Sequence, residues 1–188
     1  MLDRNSAIKE KYKVGKYPFE DKVEIIFSEN HNLVIQQIAS WPDEISNLEK
    51  LFFNELGFKQ NTDFNRGEIL KNNSLWRMEP LKWWLLGSII DVPENLGTSL
   101  ELSHAFTSIM IDGEKSEILL NKHLPLDLRL DYFPIKSSAS SAIHHVSIKL
   151  FRLNEKKFNL LIPRGFALSI WEILIESASQ FGYEIKDN

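Results

Sequence analysis

The sequence predicts an α+β chain, and three observations carry the prediction. Residues 165–181 place Phe166, Ile170, Leu174, Ala178 and Phe181 on one helical stripe, widened by Trp171 and Ile175, with Glu172, Glu176 and Gln180 opposite. Thr107–Ile111 is β-branched and apolar, and Ile143–Arg152 with Lys157–Ile162 reads as a hairpin around Asn154-Glu155. Between these types lies a second helix: Ile45, Leu48, Phe52 and Leu56 recur at helical spacing behind the start signals of Ser40-Trp41-Pro42-Asp43-Glu44, and Gly57 follows as a cap.

The elements follow in order. Residues 1–30 read as an arm, dense in charge, with Val23–Phe27 as its apolar run. Tyr12, Tyr17 and Phe19 are unusual in a solvated tail. They predict that Val23–Phe27 orders against the body and that Tyr12–Phe19 packs on a partner chain. Leu33–Ala39 is a strand leading into the first helix. Phe58–Asn73 is polar and reads as a loop. Ser74–Met78 and Lys82–Gly87 are strands joined at Glu79-Pro80, and Pro93–Leu100 reads as a short helix. Asp112-Gly113 breaks the Thr107–Ile111 strand, and Glu114–Asn121 is a short helix. Leu126, Leu128 and Leu130 alternate with Asp127, Arg129 and Asp131, the pattern of an extended segment with one buried face. Ser137–Ser141 reads as a loop.

Composition narrows the function classes. The 188 residues suit one domain or two small lobes. The net charge of -4 is mixed along the chain, without the clustered basic face that nucleic acid demands. Cysteine is absent, which removes disulfides, thiolate zinc sites and a thiol nucleophile, and fits a reducing compartment. Met1–Lys16 lacks the apolar core of a secretory signal, and Trp83–Ile90 and Leu160–Ile175 fall short of a membrane span. The expected location is cytoplasmic.

Chemistry-bearing motifs are sparse. His31, His104, His123, His144 and His145 show no metal-ligand spacing, and His144 and His145 on one strand would face opposite ways. Phosphate-loop, dinucleotide and nucleophile-elbow signatures do not occur. Asp127 and Arg129 read as a solvated ion pair. Of Trp83 and Trp84, a strand directs one inward and one outward, the outward ring being suited to an interface. No catalytic, cofactor-binding or metal residue is nominated.

One segment echoes another. Arg77–Leu86 and Arg152–Leu161 both read Arg, apolar, two turn residues, then Lys, aromatic, any residue, Leu, Leu. Each is preceded by a strand and a helix and followed by a helix in this reading, which is the core of a ferredoxin-like unit. The body, residues 31–188, is therefore expected to be two related α+β lobes, about 31–106 and 107–188, packed as one unit.

Several segments together resemble the gamma subunit of heterotetrameric sarcosine oxidase: Leu100–Ala105, Ile111–Gly113, Ile118–Leu120, Leu124–Leu128, Phe133-Pro134, Phe151-Arg152, Phe158–Ala167 and Ser169–Trp171. Phe106 and Gly165 depart from the family's usual Arg and Ser. The resemblance implies a fold related to the folate-binding fold of the glycine-cleavage aminomethyltransferase. It implies a non-catalytic subunit with alpha, beta and delta chains as partners, in a complex that demethylates sarcosine to glycine and passes the one-carbon unit to tetrahydrofolate. FAD, FMN, NAD, tetrahydrofolate and zinc are expected on those partners. Tyr12, Tyr17, Phe19, Trp84, His104 and Arg164 are the expected interface residues. The alternatives are a standalone folate-binding or aminomethyltransferase-like protein, and the equivalent subunit of an N-methylglutamate dehydrogenase or synthase complex.

Overall fold

In the computed structural model, residues 5–18, 22–59 and 63–187 are described. The chain opens with β1 (Gly15–Tyr17), β2 (Ile25–Glu29) and β3 (Ile35–Ser40), then helix α1 (Ile45–Leu56). Strands β4 (Arg66–Leu70), β5 (Asn73–Glu79), β6 (Lys82–Leu86), β7 (Gly97–Glu101) and β8 (Phe106–Asp112) follow. The remainder is α2 (Ser116–Asn121), β9 (Ser138–Ile143), β10 (Val146–Arg152), β11 (Lys157–Pro163), α3 (Ala167–Ala178) and β12 (Tyr183–Lys186).

The described residues fall into two compact units. The first draws on Met1–Asn32, His104–Ile135 and Ser140–Asn188, the second on Leu33–Ser103 and Lys136–Ala139. A seven-stranded sheet, β1-β12-β2-β8-β11-β10-β9, organises the first unit, with β12 and β2 parallel. A five-stranded sheet, β4-β5-β6-β3-β7, organises the second.

In the second unit α1 lays Leu48 and Phe52 on Ile38, Leu75, Trp83 and Leu85. The helix ends where Gly57, at a φ of +79°, turns its N–H back to the Phe53 carbonyl at 2.9 Å. In the first unit α3 buries Ala167, Ile170, Trp171, Leu174 and Ala178. Trp171 meets the edge of Phe27 at 5.4 Å between centroids. Phe166, expected on that stripe, is 55% exposed in a short 3-10 turn before the helix.

The echo becomes a shared topology. The path β3-α1-β4-β5-β6 yields the neighbour order β4-β5-β6-β3, and β8-α2-β9-β10-β11 yields β9-β10-β11-β8. Both orders continue beyond the first strand of the path into an antiparallel neighbour, β7 or β2, and in the larger sheet β12 and β1 follow β2. The repeated arginines hold equivalent places. Arg77 opposes Trp83, which opposes Ile38; Arg152 opposes Phe158, which opposes Ile111.

Six sequence expectations are corrected. The helix expected to follow β6 does not form, and Pro93–Leu100 is not helical: after a turn, Gly97–Glu101 pairs along β3, where Gly97 opposes Ser40. Part of the Phe58–Asn73 loop is β4, paired with β5, and the serine run is the strand β9, because polar residues serve at a sheet edge where one side meets water. Pro125–Tyr132 is not extended. The Arg129 carbonyl accepts the N–H groups of Tyr132 and Phe133, and Leu128 is fully buried while Leu130 is 41% exposed. His144 and His145 are exposed at the turn between β9 and β10 rather than on a strand, with His144 at a φ of +52°. Finally, the described residues of 1–30 belong to the first unit instead of forming a separate arm, because β2 is an interior strand with Ile25 and Phe27 fully buried.

Candidate functional site

The alternation of β2 builds a polar centre. Period two puts Ile25, Phe27 and Glu29 on one buried face, so the strand that anchors Phe27 also carries a carboxylate inward. Glu29 is 1% exposed. A buried carboxylate requires compensation, and three residues around it supply this or fix its place. Ser6 Oγ donates to Glu29 Oε2 at 2.5 Å. His31 Nδ1 lies 3.7 Å from the same oxygen. The Glu29 N–H donates to Tyr12 Oη at 2.9 Å, and the Tyr12 hydroxyl donates onward to the Lys186 carbonyl at 2.5 Å.

Tyr12 is the hinge of this arrangement. Its ring stands 5.4 Å from Trp171 and edge-on to His31 at 6.3 Å. Burial holds its hydroxyl pKa above the usual value; the Glu29 N–H bond opposes this and the Glu29 charge adds to it. Asn5, Ser6, Lys9, Tyr12 and His31 line a cleft of about 250 Å³. Sequence reasoning missed Glu29, Ser6 and His31. The available signal was the inward parity of Glu29, two residues beyond Phe27 in an alternating strand.

The residues expected at an interface are distributed widely. Tyr12 is half-buried and bonded within its own unit, and Tyr17 is half-buried and stacks on Tyr183 at 5.4 Å. Tyr12 and Tyr17 thus make packing contacts within their own unit. Phe19 itself lies outside the described residues. Trp84 was expected to face outward; it is 3% exposed, opposing Trp76 on β5 and Gln37 on β3. Both faces of β6 are covered, so strand parity separates Trp83 from Trp84 without exposing either. His104 is exposed. Arg164 is half-buried, and its guanidinium donates to the Asn5 carbonyl at the cleft.

Other polar features carry less chemistry. Asp127 and Arg129 form an exposed ion pair, 2.5 Å at its shortest, whose hydrogen bonds hold the Asp127 carboxyl below its usual pKa. Among the described residues no group of three or more His, Asp and Glu is placed to hold a metal ion. No helix among them is long and apolar enough to cross a membrane.

No family model and no curated protein sequence matches the chain. Solved structures do. A chain of the heterotetrameric sarcosine oxidase from Corynebacterium sp. U-96, solved in complex with pyrrole 2-carboxylate, superposes with a TM-score of 0.78 at 14% identity. The match covers 95% of this chain and 96% of that one. The glycine cleavage system aminomethyltransferase T from Bartonella henselae superposes with a TM-score of 0.62 at 10% identity. There the match covers 95% of this chain and 56% of the other, so this chain spans a little over half of the aminomethyltransferase. This is the aminomethyltransferase-like fold. The two superpositions establish that fold, and two units with a common strand order are its form in this chain.

Proposed function

We propose that this chain is the gamma-type subunit of a sarcosine-oxidase-like heterotetramer, acting in assembly and leaving the chemistry to its partners. The observation that carries the reading is the end-to-end match: 95% of this chain covers 96% of a chain of a heterotetrameric enzyme. Fold alone hosts many functions, but a full-length match to one chain of a complex argues for a whole subunit. On this reading FAD, FMN, NAD, tetrahydrofolate and zinc reside on alpha, beta and delta partners. The test is co-expression with flavin-bearing chains from the same source. The isolated chain is expected to be colourless and inactive on sarcosine, and to co-purify with the flavoproteins. A yellow isolated chain, or sarcosine turnover without partners, overturns the reading.

A second reading is a standalone folate-binding protein, favoured by the aminomethyltransferase superposition. Calorimetry with tetrahydrofolate separates the two. Saturable heat from the isolated chain supports the second reading; none supports the first.

A further inference from the structure

We propose that the outer edge of β7 pairs with the same edge of a second copy of this chain, in an antiparallel two-fold contact centred on Leu100. The inference stands independently of the complex proposed above.

The open edge carries the argument. β7 ends the five-stranded sheet, with β3 on its inner side, and Thr98, Ser99, Leu100 and Glu101 are all exposed. At the opposite end of that sheet β4 is covered: Arg66 bridges to Ser137, and the Gly67 N–H donates to the Lys136 carbonyl at 2.9 Å. Edge strands are ordinarily protected by lysine, proline or a bulge. Gly97–Glu101 contains neither lysine nor proline, and its register along β3 is unbroken from Gly97 to Glu101. Two bonds flanking the strand fix the direction of its main-chain groups. The Leu102 N–H donates to the Ile35 carbonyl at 2.9 Å, and the Trp41 N–H to the Leu96 carbonyl at 3.1 Å. Antiparallel alternation then turns Thr98 and Leu100 toward β3, and the N–H and C=O groups of Ser99 and Glu101 outward. Among the described residues nothing takes up those outward groups.

Self-complementarity sets the occupant. An inverted copy of β7, with Leu100 facing its own equivalent, brings Ser99 opposite Glu101 of the second copy and Glu101 opposite its Ser99. Each of these pairs exchanges N–H and C=O bonds in both directions. The Ser99 hydroxyl meets a carboxylate as donor to acceptor, and the strand's one charge never faces its like. Leu100, 56% exposed in the single chain, lies against its equivalent at the close, non-hydrogen-bonded position. A strand that offers its own complement in this order fits a second copy of itself, through the isologous contact of a two-fold dimer. The paired stretch is short, which puts the contact among weak, concentration-dependent interfaces.

The test uses the full chain, which has no cysteine of its own. Leu100→Cys is expected to give a disulfide-linked dimer under mild oxidation, because a non-hydrogen-bonded antiparallel pair holds its Cα atoms about 4.5 Å apart, within disulfide range. Ser99→Cys and Phe53→Cys, also at exposed positions, are expected to stay monomeric, since neither meets its equivalent in this register. Sedimentation of the unaltered chain from about 10 μM to about 1 mM is expected to show a rising dimer fraction. Ser99→Pro removes an outward donor and no bond to β3, and is expected to weaken the dimer about tenfold or more while the far-ultraviolet spectrum is kept. Phe53→Lys, on the exposed side of α1, is expected to leave it unchanged. In hydrogen exchange the Ser99 and Glu101 N–H groups are expected to slow as concentration rises, and the Leu100 N–H to be slow throughout. A chain monomeric over the whole range, cross-linking of Ser99→Cys or Phe53→Cys as readily as of Leu100→Cys, or a dimer undiminished by Ser99→Pro overturns the proposal.

Discussion

Arg152 lays its guanidinium 4.8 Å over the ring of Phe158, its cross-strand partner. Arg77 does the same over Trp83 at 4.9 Å. Each arginine also donates to the carbonyl three residues ahead, Glu155 or Pro80, and pairs with a glutamate of the helix in its own unit, Glu117 at 3.3 Å or Glu49 at 3.9 Å. The repeated sequence thus encodes a repeated device that closes the hairpin and ties it to the helix. Arg152 is the deeper copy: at 1% exposure it also donates to the carbonyls of Leu128, at 2.5 Å, and Phe133, at 2.8 Å.

Arg152→Ala is therefore expected to cost about 3–5 kcal/mol, the range for removing one partner of a buried charged network. Arg77→Ala leaves a more exposed site and is expected to cost about 1–3 kcal/mol. Urea denaturation of both variants measures the difference. Equal, small losses would show that neither arginine holds its hairpin.

The N-terminal segment is expected to be needed by the isolated chain. Ile8 is fully buried, and Ile8→Ala should cost about 2–5 kcal/mol. Tyr12→Phe strands the Glu29 N–H and the Lys186 carbonyl and should cost about 1–3 kcal/mol. Thermal melting of these variants, and of a chain lacking residues 1–17, is the measurement. An unchanged midpoint in the deletion would mean that the segment is a tail after all.

Gly67→Ala should destabilise the second unit. A Cβ there would fall 2.2 Å from the Trp76 ring, and Trp76 is fully buried with no room to retreat. The expected loss is about 1–3 kcal/mol, as for other overpacked sites. Loss of near-ultraviolet tryptophan signal at lower denaturant concentration checks it.

Stability should fall on mild acidification through His123. Its Nε2 lies 2.8 Å from Ser177 Oγ, and burial, His144 and Lys122 in that order hold its pKa below the usual value. The unfolded chain then binds a proton more readily than the folded one. Stability is full above about pH 6.5, the unfolded value, and falls with pH until the folded value is passed. Melting curves from neutral to acid pH test this, and His123→Gln should flatten the slope. An identical slope in the variant would exclude His123 as the source.

The glycine at 57 and the spacing of Ile45, Leu48 and Phe52 determined α1, and the Arg77 and Arg152 segments determined two hairpins and a duplication, because caps, periodicity and turn chemistry act between residues close in the chain. The family resemblance read from short segments pointed to the fold that the superpositions show. Tertiary structure decided the rest. Gly97–Glu101 became a strand because β3 had an open edge, and Pro125–Tyr132 failed to become one while Arg152 took the Leu128 carbonyl. The described residues of 1–30 lost the role of an arm because β2 finds its partners β12 and β8 far along the chain. The cleft at Glu29 needs Ser6, Tyr12 and His31 together, and strand pairing across the sequence is what gathers them. Sequence pattern reports which face a residue prefers, while its partner is set by long-range closure that no local window contains.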